Sequence, residues 1–136
     1  MKNDTQIAGK KILLVEDDKF LSGLIGRGLI ESRCVFKNAL SGEDAISILE
    51  KEKPDAVILD LLLPGKVDGF GVLEKIRANH DLKDVPVIIL SNLGSPEDIE
   101  RGMRLGATNY LIKASIVPDE IIDHLVEAFA KVSGGK

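Results

Sequence analysis

Three uninterrupted apolar runs constrain this chain most: Ile12-Leu13-Leu14-Val15, Ala56-Val57-Ile58-Leu59 and Val87-Ile88-Ile89-Leu90. Each is short, contains β-branched residues and lacks the polar alternation of a half-solvated strand. Runs of this kind are strands buried on both faces, as in a parallel sheet. Each also stops at a polar residue: Glu16-Asp17, Asp60 and Ser91. A carboxylate at the end of a buried strand is costly unless it is solvated, paired or bound to a cation. Asp60, followed by Leu61-Leu62-Leu63-Pro64, is the first residue that needs such a partner. A single aspartate there would be read as a cap of the next turn. The ends of the other strands change that reading.

Between these runs, apolar residues recur at helical spacing. Leu21, Leu24, Ile25, Gly28 and Leu29 mark one helix, with Asp18 as its N-cap. Ser41-Gly42-Glu43-Asp44 resembles a capping box, and the helix it opens carries Ala45, Ile48 and Leu49 and must end before Pro54. Phe70, Leu73 and Ile76 define a third helix. Ser95-Pro96-Glu97-Asp98 combines an N-cap, a first-position proline and acids in the first turn, and Gly106 is the expected residue just past that helix. A last helix starts near Pro118 and presents Ile122, Leu125, Val126 and Phe129. Residues 35–39 form a weaker strand whose Lys37 and Asn38 suit a sheet edge, and Tyr110-Leu111-Ile112 is a fifth strand that stops at Lys113. Strands alternating with helices in this way imply right-handed crossovers and an α/β fold, a parallel sheet covered on both faces.

A chain of 136 residues suits one domain, expected over residues 10–132 with flexible tails at 1–9 and 133–136. The net charge of −4 gives no reason to expect nucleic acid or an anionic membrane as a partner. The single Cys34 excludes an internal disulfide and a cysteine zinc cluster, and reads as a small buried residue. No apolar run is long enough to span a bilayer, and residues 1–9 lack the apolar centre of a signal peptide, so a cytoplasmic location is expected. His80 and His124 stand alone on helix surfaces or ends and read as solvated.

In an open parallel sheet, ligands bind beyond the carboxyl ends of the strands. Those ends here carry Glu16, Asp17, Asp60, Ser91 and Lys113. Three carboxylates in one crevice require protonation or a cation. Hard oxygen ligands favour Mg²⁺ over Ca²⁺ or Mn²⁺. A cation beside Lys113 and Ser91 is a place to hold a phosphoryl group, and Asp60 could be its carboxylate acceptor. The simpler alternative is an ion pair of Lys113 with Asp17 or Asp60.

The set Glu16-Asp17, Asp60, Ser91 and Lys113 on a five-fold alternating chain resembles the receiver domain of two-component response regulators, stand-alone and similar to chemotaxis regulators. The resemblance covers residues 10–131. It implies a flavodoxin-like (βα)5 three-layer sandwich with strand order 2-1-3-4-5. It implies Mg²⁺ held by Glu16, Asp17, Asp60 and the backbone carbonyl of Leu62, a phosphoryl group on Asp60, Ser91 and Lys113 on its oxygens, and Ser91 with Tyr110 as the switch. Three departures from the family's usual pattern stand out. Ala114 replaces the proline that usually follows the lysine, the loop Pro64-Gly65-Lys66-Val67-Asp68-Gly69 is one residue longer, and Asn92 replaces a small residue.

The implied function is a phosphoacceptor, not an enzyme with a separate substrate, although it assists its own phosphorylation and dephosphorylation. A histidine kinase or phosphotransfer protein is the implied donor. The expected output is an unknown downstream protein, or a homodimer through the last two helices and the Tyr110 strand, the chain being a stand-alone receiver without an output domain or a piece of a larger protein. Leu62 and Leu93 beside the site would orient water poorly, so a long-lived phosphorylated state is expected. The alternative is a non-phosphorylated receiver-like interaction module, supported by Ala114 and Asn92. A phosphatase using Asp60 would want a second acid at position 62, which is leucine. Gly69-Phe70-Gly71 and Gly65-Lys66 are incomplete as nucleotide-binding motifs.

Overall fold

The computed structural model describes residues 6–134, which build a five-stranded parallel sheet in the order β2-β1-β3-β4-β5. The elements are β1 (Lys11–Val15), α1 (Lys19–Glu31), β2 (Val35–Ala39), α2 (Gly42–Lys51), β3 (Ala56–Leu59), α3 (Gly69–Ala78), β4 (Val87–Ser91), α4 (Pro96–Arg104), β5 (Asn109–Ile112) and α5 (Pro118–Gly134). A single 3-10 turn, Lys113–Ser115, joins β5 to α5. This is the expected flavodoxin-like order, with the polar strand β2 at one edge.

Strand alternation divides the core between the two faces of the sheet. Leu13, Val15, Val57, Leu59, Val87 and Ile89 pack with Ala45 and Leu49 of α2 and with Phe70, Leu73 and Ile76 of α3. Ile12, Leu14, Ile58, Ile88 and Leu90 pack with Ile25 and Leu29 of α1 and with Leu125 and Phe129 of α5. The central strands β1, β3 and β4 are therefore apolar at nearly every position, which is why they read as continuous runs.

The pairing register brings the strand ends level. Val15 lies beside Leu59, Leu59 beside Ile89, and Ser91 beside Ile112. The next residue of each strand thus emerges on one edge. Hydrogen bonds carry the ladder one step further, from Glu16 N–H to Ala39 and from Asp60 N–H to Val15, each 3.0 Å.

The expected helix starts are present. Asp18, Ser41 and Ser95 accept from the N–H groups of Leu21, Asp44 and Asp98. Asp44 returns a bond to Leu40 N–H, so the capping box closes one residue ahead of Ser41. Gly106 has φ +107, a left-handed conformation that suits glycine. Its carbonyl accepts two bonds from Arg77, whose guanidinium also reaches the carbonyls of Lys83 and Val85. Arg77 thereby fastens the turn before β5 to the turn before β4.

Three expectations need revision. Residues 1–5 and 135–136 lie outside the described residues, but the inner end of the expected N-terminal tail is part of the core. Ile7 is 0% exposed and packs against the α1–α5 side, its carbonyl accepts from Cys34 Sγ, and Gly9 N–H donates to Arg33. The sequence hid this because a lone isoleucine among polar residues has no periodicity. At the other end, α5 continues through Ser133 and Gly134, expected as tail. His124 is half-buried, not alone, and its Nδ1 lies 3.1 Å from Asn109 Nδ2. Among the described residues no helix is long and apolar enough to cross a membrane.

If Ile7 belongs to the core, Ile7→Ala will cost about 2–4 kcal/mol of unfolding free energy. Urea unfolding followed by circular dichroism measures it; a loss below about 0.5 kcal/mol, the scale of an ordinary surface substitution, would return residues 6–9 to a tail.

Candidate functional site

The strand ends bring Glu16, Asp60, Ser91 and Lys113 together, with Asp17 beside them. Glu16 is 1% exposed and Asp60 4% exposed, and Ser91 is fully buried. Lys113 joins the two buried acids: its Nζ lies 2.9 Å from Glu16 Oε1 and 2.9 Å from Asp60 Oδ2. The ion pair of Lys113 with Asp60, which the sequence offers as the simpler alternative, is present, and Glu16 rather than Asp17 is the second partner. Burial opposes charge on Lys113, but its bonds to Asp60 and Glu16 outweigh burial and lift its pKa above the ordinary lysine value. Burial raises the pKa of Glu16, against the lowering effect of Lys113 and of the Asp18 N–H.

Each side chain is aimed by its backbone. Asp60 Oδ1 accepts from Leu62 N–H at 3.3 Å, which turns the chain back over the carboxylate. Glu16 Oε2 accepts from Asp18 N–H at 3.0 Å. The edge strand also contributes, which the sequence reading missed. Asn38 Nδ2 donates to the carbonyls of Leu14, Glu16 and Ala39, at 3.0 to 3.2 Å, and pins the end of β1. Its polarity in the sequence was visible, but it was explained by edge exposure alone.

Glycine closes the other side. A Cβ on Gly69 would stand 2.2 Å from the Asp60 carbonyl oxygen, so only glycine permits α3 to begin so near. The longer loop between Asp60 and Gly69 is tethered from α2, where Glu43 Oε2 accepts from Lys66 N–H at 2.8 Å. That bond holds the Glu43 carboxyl below the usual glutamate pKa.

On the β4–β5 side, Ser91 Oγ accepts from Leu93 N–H at 3.3 Å, and the Leu93 carbonyl accepts from the Tyr110 hydroxyl. One residue therefore links the two proposed switch residues. Burial raises the Tyr110 pKa. The Lys113–Ala114 bond is trans, as no peptide bond among the described residues is cis.

Oxygens of Glu16, Asp17 and Asp60 lie within 4.8 Å of one another. Asp17 is exposed and offers an open side to the cluster. Glu16 Oε1 is close to Lys113 but makes no aligned hydrogen bond. An all-oxygen donor set with one buried carboxylate oxygen under-satisfied fits a hard divalent cation such as Mg²⁺.

A family model for the response regulator receiver domain matches residues 12–126. The chain is 36% identical over 104 residues to the probable transcriptional regulator ycf27 of Guillardia theta, a match covering 76% of this chain and 39% of that protein. It spans less than half the length of the curated relatives it matches. The receiver domain of the Francisella response regulator 1452 superposes with a TM-score of 0.82 at 27% identity, over 91% of this chain and 99% of that one. The receiver domain of a sensor histidine kinase from Pseudomonas aeruginosa PAO1, solved with magnesium in its active site cleft, gives 0.77 at 28% identity, over 88% and 96%.

Removing the cation between the two acids tests the electrostatics. Lys113→Met is expected to cost about 3 kcal/mol in metal-free buffer, with Mg²⁺ recovering part of the loss in urea unfolding. Asp17→Asn will leave metal-free stability within about 0.5 kcal/mol and abolish the rise in melting temperature that Mg²⁺ gives the wild type. A rise that survives Asp17→Asn moves the metal elsewhere.

Proposed function

The chain belongs to the response regulator receiver family, and from that premise we propose that it accepts a phosphoryl group on Asp60 from a histidine kinase or phosphotransfer protein. An Asp60 carboxylate oxygen attacks phosphorus. The new O–P bond forms as the P–N bond to the donor imidazole breaks, and the imidazole keeps the electron pair and takes a proton from solvent. Glu16, Asp17, Asp60 and the Leu62 carbonyl would hold Mg²⁺, which neutralises charge on the phosphoryl oxygens. Lys113 passes its bond from Asp60 Oδ2 to a phosphoryl oxygen, and Ser91 donates its hydroxyl to another.

The observation that carries this reading is Lys113 between two buried acids at the strand ends. An ammonium already poised on the acceptor carboxylate lowers the repulsion an incoming anion would meet. The Ser91–Leu93–Tyr110 linkage supports the switch. Movement of Ser91 toward the phosphoryl group pulls on Leu93 and releases or redirects Tyr110 at the edge of the sheet. The face formed by α4, β5 and α5 then engages a partner protein or a second copy. Curated relatives are named transcriptional regulators, so the signal in this chain's setting is proposed to act on regulation, with nucleic acid outside the receiver itself. The receiver is a phosphoacceptor in a cytoplasmic pathway and turns over no separate substrate.

Incubation with Mg²⁺ and acetyl phosphate, read by intact mass, tests the proposal. The wild type is expected to gain one phosphoryl group and Asp60→Asn none. No adduct on the wild type favours the interaction-module reading, and steady phosphate release without adduct favours a hydrolase. Leu62 is 58% exposed beside the acceptor, and its apolar side chain orients water poorly. The adduct is therefore expected to last minutes or longer; decay within seconds contradicts this role for Leu62 and Leu93.

A further inference from the structure

Asn92 is exposed, yet its side chain is held. Its Oδ1 accepts a hydrogen bond of 3.1 Å from the N–H of Ala114, 22 positions along the chain. The turn that contains this N–H is weakly closed from within. Its bond from Ile116 N–H to the Lys113 carbonyl is 3.5 Å long, and no side chain caps its start from Ile112. The first N–H groups of any helical turn lack partners inside it. Asn92 provides one from the neighbouring loop.

This bond exists only because of two unusual residues. Proline at 114 would have no N–H to donate, and alanine or glycine at 92 would have no side-chain oxygen to accept. The two departures from the family's pattern complete each other. The position matters because Ala114 directly follows Lys113, and Asn92 directly follows Ser91. Lys113 is a flexible side chain that must reach acids at the ends of both β1 and β3, and such reach depends on where its backbone is fixed.

On the reading that Asp60 is the phosphoacceptor, we propose that Asn92 is a positioning residue: through Ala114 N–H it fixes the turn that aims Lys113 at Asp60 and Glu16, and it joins the Ser91 and Lys113 loops into one unit. Asn92→Ala therefore acts through Lys113, not on the phosphoryl group. The bond also passes any displacement of Ser91 to the turn before α5.

Asn92→Ala, Asn92→Asp, Lys113→Met and the Asn92→Ala/Lys113→Met double variant, made in the full chain, test this. In Asn92→Ala the Ala114 amide is expected to exchange with solvent faster, and the Lys113 ammonium resonance to shift. Phosphorylation by acetyl phosphate should slow about three- to tenfold, the range of one ordinary hydrogen bond. Asn92→Asp keeps the acceptor oxygen and is expected to restore protection of the Ala114 amide. In the Lys113→Met background, Asn92→Ala should add no further slowing, because the two act as one unit. Unchanged Ala114 exchange in a folded Asn92→Ala protein overturns the proposal, and so does full additivity of the two substitutions. If the wild type accepts no phosphoryl group, the phosphoacceptor reading fails, while the Ala114 and Lys113 resonances still decide whether Asn92 positions Lys113.

Discussion

One ammonium shared between two buried carboxylates sets the terms for the rest of this structure. Glu16 and Asp60 sit at the ends of adjacent strands, and neither would tolerate burial as an unpaired charge. Lys113 approaches from β5, across the end of β4, donates a hydrogen bond to Asp60 and forms an ion pair with Glu16. That reach is possible only because the register brings all these strand ends to one edge. Counting Asp17, three carboxylates still face a single ammonium, so the cluster retains a demand for positive charge. A divalent cation would answer that demand, whereas an incoming phosphoryl anion would raise it. On the proposed reading, the ion would offset the surplus of acids and the phosphoryl group would take over one of the two contacts that Lys113 makes.

Much of this was legible in the sequence, for a definite reason. Strands buried on both faces must be apolar throughout, so Ile12-Leu13-Leu14-Val15 and its counterparts announce themselves, and the first polar residue after each marks the sheet's functional edge. Helix starts were equally plain, because Asp18, Ser41 and Ser95 act on N–H groups only three residues away. What escaped notice were bonds between residues far apart in the chain that carry no local pattern. Asn38 looked like an edge residue and proves to hold three carbonyls around the end of β1. Ile7 looked like part of a tail and lies in the core.

Contacts of this distant kind also fall at the three places where the resemblance implied a departure. In the loop between Pro64 and Gly69, Gly65 is left-handed and Glu43 accepts from Lys66 N–H. Ala114 and Asn92 answer each other across 22 positions. Read singly, each looks like erosion of the site. In three dimensions Asn92 and Ala114 are bonded to each other, beside the ion pairs that join Lys113 to Glu16 and Asp60.

Gly69 carries a consequence of another sort. With no side chain there, the first turn of α3 rests directly against the backbone of Asp60, and Asn38 clamps β1 on the far side. That half of the site behaves as the fixed jaw of a vice. The opposite half, built from Ser91, Asn92, Leu93 and the turn after Lys113, is joined by single hydrogen bonds and side-chain reach, and forms the sliding jaw. On the proposed reading, closure on a phosphoryl group would move the Ser91 side, next to β5 and the helices that flank it. The absence of one methyl group thus ties α3 to the Asp60 side of the site and leaves the β4–β5 side the more loosely held.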